Sequence, residues 1–120
     1  MKFLCMVKAT RESEAGLPPD PRMMEAVGKL MEESIREGKM VMAGGLGPSS
    51  MGARVKASGG SISVVDGPFA EIKELVGGFA IMELPSREAA IEEGRRLMQL
   101  HLDVLGPSYE GVCEVRQMFD

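Results

Sequence analysis

The sequence predicts one α+β domain in which two amphipathic helices accompany a sheet of short strands. Apolar runs of strand length alternate with two longer segments whose apolar residues recur every three to four positions. No linker, internal repeat or low-complexity tract divides the 120 residues. We therefore expect a single domain over residues 1–120.

Apolar and polar runs locate the first strands. Residues 3–7 form a nearly continuous apolar run, as in a buried central strand. Residues 11–19 are polar and contain a proline pair, which predicts a loop. Residues 39–44 predict a second strand. The glycine-rich stretch at 44–50 predicts a turn between strands, because it lacks the spacing of a phosphate-binding loop.

Both helices have start and stop signals. Asp20 suits an N-cap, and a proline follows it at the first helical position. Periodic apolar residues then continue to the expected stop at Gly38. Ser86 is the expected N-cap of the second helix, and the Gly-Pro pair at 106–107 ends that helix.

A hairpin and two further strands complete the pattern. Residues 53–56 and 61–65 flank a Gly-Gly pair at 59–60, whose permissive backbone suits a hairpin turn. Residues 76–84 and 112–119 predict the last two strands. The chain thus alternates strand, helix, strand, hairpin, strand, helix, strand.

This order is the split βαβ of ferredoxin-like folds with an inserted β-hairpin. The two helices are expected to cover one face of the sheet. No third helix is left to cover the other face, and the simplest cover is a second copy of the chain, with the two sheets packed face to face. The sequence therefore predicts a homodimer that closes a dimeric α/β barrel.

Composition and charge exclude several classes of partner. The net charge of -4 at pH 7 and the lack of a basic block argue against nucleic-acid binding. The N-terminal apolar run is too short for a signal peptide or a membrane span, so we expect no membrane partner and a cytoplasmic location. Cys5 and Cys113 are expected to be buried thiols, because nothing in the sequence indicates secretion.

The most specific motif lies at residues 65–79. It has the sequence Val-Asp-Gly-Pro-Phe-Ala-Glu-Ile-Lys-Glu, followed after two residues by Gly-Gly-Phe. Together with Met-Lys-Phe-Leu at 1–4 and Ala-Gly-Gly-Leu at 43–46, this motif resembles the YCII-related family, and within it the branch named for Asp-Gly-Pro-Phe. The resemblance covers most of the chain and implies a dimeric ferredoxin-like α+β barrel.

The resemblance implies no single reaction. Some members of the branch carry an enzyme name, and others look like accessories of alternative sigma factors. Relatives in the wider family pair a histidine of the first helical region with an aspartate as an acid–base couple. Residues 1–100 contain no histidine, so only the aspartate, Asp66, matches that couple.

Two interpretations of Asp66 are open. Its carboxylate can accept hydrogen bonds from the backbone of the Gly-Pro turn that follows. Alternatively, it lies at the mouth of the barrel as a general base or ligand anchor. Lys73 is the candidate electrostatic partner, because an ammonium group stabilises an enolate or a carboxylate. The alternative for Lys73 is an exposed, solvated charge.

Four further residues are candidates for the site. His101 is the only imidazole and falls in the apolar stripe of the second helix, where it either packs in the core or borders the cleft. Arg54 on the hairpin either pairs with an anionic ligand or stays solvated. Phe69 is predicted to plug its loop into the core or to form a pocket wall. Glu71 is a ligand contact or an exposed charge.

No cofactor is predicted, and one histidine with two distant cysteines does not make a metal site. Two functions stay open. The first is a cofactor-independent enzyme acting on a small organic acid or phenolic compound, with Asp66 in an acid–base role and Lys73 or His101 as its partner. The second is a non-catalytic module that binds a small ligand or regulates a partner such as an alternative sigma factor.

Overall fold

The computed structural model describes residues 1–119, which contain six strands and three helices. The strands are β1 (Lys2–Lys8), β2 (Met40–Gly45), β3 (Ala53–Ser58), β4 (Ser61–Asp66), β5 (Val76–Glu83) and β6 (Cys113–Gln117). The helices are α1 (Arg11–Glu14), α2 (Pro21–Arg36) and α3 (Arg87–Leu105). Two short 3-10 turns cover Ser49–Met51 and Ile72–Glu74.

Four strands form an antiparallel sheet in the order β2-β5-β1-β6, and β3 and β4 form a separate two-stranded sheet. Because β1 and β2 both pair antiparallel to β5, they run parallel to each other, and α2 connects them. In the same way β5 and β6 both pair antiparallel to β1, so they run parallel to each other, and α3 connects β5 to β6. These two interleaved βαβ units make a mixed α+β fold consistent with the predicted ferredoxin-like class.

The predicted caps of both long helices are confirmed. Asp20 accepts a hydrogen bond from the backbone N–H of Arg22 at 2.8 Å, and a proline begins α2. Gly38 follows α2 with a φ of 72°, in the left-handed region that favours glycine. The Ser86 hydroxyl accepts from the N–H of Ala89 at 3.1 Å. Within residues 1–119, no helix has the length and apolar character needed to cross a membrane.

Residues 11–19, predicted as a loop, begin instead with the single helical turn α1. Its cap is reciprocal: the Thr10 hydroxyl accepts from the N–H of Ser13 at 3.1 Å, and the Ser13 hydroxyl accepts from the N–H of Thr10 at 2.9 Å. This pair satisfies two N–H groups that a helix start leaves without partners. The prediction missed α1 because four polar residues are too few to show apolar periodicity.

Only one face of the four-stranded sheet is covered by helices. On this covered face, alternate strand residues pack with Ala90 of α3 and form the core; the set is Phe3, Cys5, Met82, Leu84 and Ala90. The strand register places the intervening side chains on the opposite face, which we call the open face. Its apolar residues are Leu4, Met6, Met42, Phe79 and Ile81.

The hairpin formed by β3 and β4, which we call the arm (residues 53–66), is exposed along its whole length. Every residue of both strands is solvent-exposed. Gly59 and Gly60 form its turn with φ values of 60° and 79°, as a two-residue hairpin turn requires. The strands run further than predicted, so that Ala53 pairs with Asp66 at the base of the arm.

Cys5 and Cys113 are free thiols on the adjacent strands β1 and β6. Cys5 is buried, as predicted, and Cys113 is half-buried. Burial, with smaller effects of Cys113 and Glu93, raises the pKa of the Cys5 thiol to about 11. Burial also raises the pKa of Cys113. Both thiols therefore stay protonated and unreactive near neutral pH.

Candidate functional site

The Asp-Gly-Pro-Phe tetrapeptide leaves the arm and turns back towards the sheet. Gly67 packs directly against the Ser49–Met51 turn, since a Cβ at this position would lie 1.8 Å from the backbone oxygen of Ser49. Its N–H donates to the backbone oxygen of Gly52 at 3.0 Å. The peptide bond from Gly67 to Pro68 is cis. Only glycine fits at residue 67, which accounts for the second letter of the motif.

A hydrogen-bonded latch connects this loop to α1. The Glu14 carboxylate accepts from the backbone N–H of Ser49 at 2.8 Å and also from the Ser49 hydroxyl. The Ser49 hydroxyl oxygen in turn accepts from the backbone N–H of Phe69 at 3.0 Å. Sequence reasoning missed both Glu14 and Ser49. They are separated by 35 residues, and no local pattern indicates such a contact.

Three predicted residues meet on one side of the arm. The guanidinium carbon of Arg54 lies 3.9 Å from the centre of the Phe69 ring. An Nη atom of Arg54 lies 3.6 Å from an Oε atom of Glu71. We call this group the Arg54 platform (Arg54, Phe69 and Glu71). The ring holds the cation by its negative face, while the long contact with Glu71 contributes little in water.

The Arg54 platform leaves hydrogen-bonding capacity free. Among residues 1–119, the Arg54 guanidinium donates no hydrogen bond, and its side chain is 46% exposed. Phe69 is half-buried beneath it. The planar fork of N–H donors is therefore held in place by the ring and remains accessible from solvent.

Asp66 lies on the other side of the arm. It pairs with Ala53, whereas Arg54 pairs with Val65, so the two charged side chains point to opposite faces of the hairpin. Asp66 is exposed, and its carboxylate accepts no hydrogen bond from the described residues. The interpretation that it stabilises its own turn is therefore not what the structure shows. Lys73 is also exposed and forms no ion pair with Asp66.

His101 lies near the end of α3 and contacts its own region of the chain. Its Nδ1 lies 2.8 Å from the backbone oxygen of Leu97 and donates to it, which leaves Nε2 as the acceptor in the neutral ring. The ring stacks on Tyr109 with centroids 4.9 Å apart. Burial raises the pKa of Tyr109. These contacts describe a packed helix end and do not join His101 to Asp66.

Two grooves of the single chain lie away from the predicted site. One groove of about 480 Å³ separates α2 from α3, and a second of about 410 Å³ lies beside Cys113. Neither is lined by a predicted site residue. In the described part of the chain, no three His, Cys, Asp or Glu side chains converge as metal ligands would. Of the six predicted residues, Arg54, Phe69 and Glu71 thus lie together in the Arg54 platform. Within residues 1–119, no hydrogen bond or ion pair joins Asp66, Lys73 or His101 to this platform or to one another.

Two comparisons with known proteins bear on this chain. A sequence model described as the YCII-related domain matches residues 1–105. An uncharacterized protein of Rhizobium meliloti strain 1021 is 32% identical over 78 residues, which is 65% of this chain. The aligned segment spans 63% of the length of that relative.

Proposed function

The chain belongs to the YCII-related family, and from this premise we propose that it is a homodimeric small-ligand-binding protein of the Asp-Gly-Pro-Phe branch. We propose one domain over residues 1–120, with two open faces packed against each other in a dimeric barrel. The free thiols of Cys5 and Cys113 favour the cytoplasm as its compartment.

The dimer is supported by the surface that one copy leaves exposed. The chain exposes 8265 Å², whereas a compact monomer of 12.9 kDa exposes roughly 6,300 Å². Its radius of gyration is 15.8 Å, against about 13.6 Å for a compact domain of this length. The excess area of about 2,000 Å² per chain is larger than the roughly 800 Å² that each partner contributes to a standard interface.

A matched pair of methionine variants tests the dimer. Met42 lies on the open face and is 54% exposed, while Met24 lies on α2 and is 61% exposed. We expect Met42→Glu to raise the dimer dissociation constant at least about tenfold, because a carboxylate would be buried without a partner. Met24→Glu should leave the dissociation constant unchanged. Sedimentation equilibrium measures the constants of both variants. A wild-type protein that is monomeric at micromolar concentration would refute the dimer.

The ligand class follows from the Arg54 platform. A guanidinium with free N–H donors pairs with a carboxylate through two parallel hydrogen bonds. The face of the planar guanidinium that points away from the Phe69 ring can in addition stack on a planar, unsaturated group of the ligand. We therefore propose a small aromatic or unsaturated carboxylic acid, which exchanges with the weakly held Glu71 carboxylate. The stacking of Arg54 on Phe69 is the observation that carries this proposal.

The binding test uses two cations on the same face of one strand. Lys56 and Arg54 are two residues apart on β3, so their side chains share a face. We expect calorimetric titration with benzoate and cinnamate to detect binding to wild type and to Lys56→Gln. Arg54→Gln should weaken binding at least about tenfold through loss of the bidentate pair. Equal affinities in all three proteins would contradict the proposal.

A catalytic function is the second candidate, favoured by the free carboxylate of Asp66. In this scheme Asp66 takes a proton from the carbon next to a ligand carbonyl, the electron pair forms an enolate, and the Lys73 ammonium stabilises it. The ring of His101, whose Nδ1 donates to the Leu97 backbone oxygen, is a less suitable partner than Lys73. The proton then returns to the same carbon. Proton NMR in D₂O detects the exchange on 2-oxo acids. We expect Asp66→Asn to abolish exchange and Glu74→Gln, which alters an exposed carboxylate of the same segment, to retain it.

A further inference from the structure

The arm has one apolar face and one polar face. Residues paired across an antiparallel hairpin point to the same side, so the register divides the twelve strand residues into two sets. The apolar face carries Ala53, Val55, Ala57, Ile62, Val64 and Asp66. The polar face carries Arg54, Lys56, Ser58, Ser61, Ser63 and Val65.

The apolar face of the arm is in water in the single chain. Val55 is 71% exposed, Ile62 is 68% exposed and Val64 is 65% exposed. An isolated two-stranded hairpin is marginally stable at best in water and needs a surface to pack on. Contiguous exposed apolar side chains of this kind mark an interaction surface.

A second copy of the chain matches this surface in two respects. The open face of the sheet offers uncovered apolar side chains of the same kind, including Met42 at 54% exposed. The exposed area is also sufficient. One chain exposes 8265 Å², about 2,000 Å² more than a compact monomer of its mass. Each partner of a standard interface contributes roughly 800 Å², and the apolar face of the arm is part of the exposed excess.

We propose that the apolar face of each arm packs on the second copy of this chain and that this contact places Asp66, at the base of the arm, at the rim of the interface. This inference rests on the proposed homodimer, in which the arm of one copy extends over the surface of the other. A two-fold axis makes the contact reciprocal, so each copy gives one arm and receives one.

The position of Asp66 gives this contact a functional consequence. Asp66 is the only charged residue on the apolar face and lies at its base, directly before the signature turn. Docking partly removes its carboxylate from bulk water, and electrostatic interactions are stronger in the less polar surroundings of the interface. A site around Asp66 is then built from residues of two chains.

Val64 and Val65 provide a matched test. They are neighbours on β4, both exposed, and they point to opposite faces of the arm. We expect Val64→Asp to raise the dimer dissociation constant at least about tenfold, because each dimer buries two added carboxylates. Val65→Asp, on the polar face, should change it less than about threefold. Sedimentation equilibrium at several concentrations measures both constants.

The outcomes separate this inference from the homodimer itself. A dimeric wild type with equal dissociation constants for Val64→Asp and Val65→Asp overturns the role of the arm and leaves the homodimer standing. A monomeric wild type overturns both. Circular dichroism checks that the variants fold. If Val64→Asp does not fold, the milder pair Val64→Ser and Val65→Ser gives the same comparison, with a smaller expected difference.

Discussion

The two faces of the four-stranded sheet both carry large apolar residues, but in opposite surroundings. On the covered face Phe3 is 1% exposed and Met82 is 4% exposed beneath the helices. On the open face Phe79 is only half-buried and Met42 is 54% exposed, although they come from strands of the same sheet. Large apolar residues therefore occur on both faces, although the open face also carries charged residues at its strand ends and on β6, namely Lys2, Glu83, Glu114 and Arg116. The difference lies in which face this chain covers with its own helices.

This comparison separates two kinds of apolar burial. The covered face is buried within one chain, so its contribution to stability does not depend on protein concentration. The proposed burial of the open face and of the arm requires a second copy, and its contribution grows with concentration. Paired substitutions on the two faces can test this distinction directly.

The largest expected effect comes from a phenylalanine on each face. Phe3→Ala removes a fully buried ring and should lower the free energy of unfolding by about 3–5 kcal/mol at any protein concentration. Phe79→Ala should cost less in dilute solution, because its ring is partly in water before association. Urea denaturation at two concentrations a hundredfold apart measures both.

The comparison would break if the two phenylalanine variants behaved alike. Equal decreases in the free energy of unfolding in dilute solution would mean that the open face is already buried within one chain. A Phe79→Ala loss that does not vary with concentration would contradict the proposed packing of open faces. Phe3→Ala serves as the internal control, since no second copy is needed to bury its ring.

The second prediction uses pH and the thiol of the covered face. Burial raises the pKa of Cys5 from 9.0 to about 11. Between these values the unfolded thiol ionises while the folded thiol keeps its proton. The unfolded state then binds fewer protons, so stability falls as pH rises, by about 2 kcal/mol over this window. Below pH 9 the contribution is fully present.

Urea titrations between pH 8 and 11.5 measure this loss. Cys5→Ala is the control, because it removes the titrating group and should lose stability less steeply over the same window. If the free energy of unfolding falls equally steeply with pH in wild type and in Cys5→Ala, burial on the covered face does not raise the pKa of the Cys5 thiol.

The third prediction extends the comparison to the loops at the end of the sheet, where polar contacts replace apolar burial. Ser49 connects Glu14 to the backbone of Phe69. Ser49→Ala should cost about 1.5–3 kcal/mol, the usual range for a hydrogen bond to a charged group. Ser50→Ala alters an exposed neighbour and should stay within about 0.5 kcal/mol. Thermal unfolding compares the two, and equal melting temperatures would show that the latch does not stabilise the loop.

The same distinction explains how far the sequence predicts this molecule. Local signals were sufficient for the long helices, since Asp20 and Ser86 cap them through residues two or three positions away. The lack of a third long helix also indicated an uncovered sheet face. Contacts between segments far apart in the sequence could not be predicted, because no local pattern indicates them. The latch joins Glu14 to Ser49, and the stacking of Arg54 on Phe69 depends on how the arm and its following loop return.

The candidate site was predicted in composition more than in geometry. Arg54, Phe69 and Glu71 were chosen separately and lie together. Asp66 was expected beside Lys73 or His101, and none of the contacts in residues 1–119 joins them. Side chains alternate between the two faces of a hairpin, so the pairing of Ala53 with Asp66 puts Asp66 and Arg54 on different faces. That pairing register cannot be read from the sequence alone.

The smallest expected effect has the opposite sign and comes from a glycine on each side of the sheet. A Cβ at Gly94 of α3 would lie 3.4 Å from Val115, an ordinary contact on the covered side. Gly94→Ala should therefore stabilise the protein by about 0.5–1 kcal/mol through helix propensity. Thermal unfolding measures this gain.

The matching glycine on the open face is Gly44. A Cβ at Gly44 would lie 3.2 Å from the Phe79 ring, which must shift slightly. On the open face the half-buried ring can make this small shift at little cost in dilute solution. Gly44→Ala should therefore be nearly neutral there and should weaken association at higher concentration. A Gly44→Ala cost that is the same at both concentrations would mean that something within the chain already fixes the Phe79 ring.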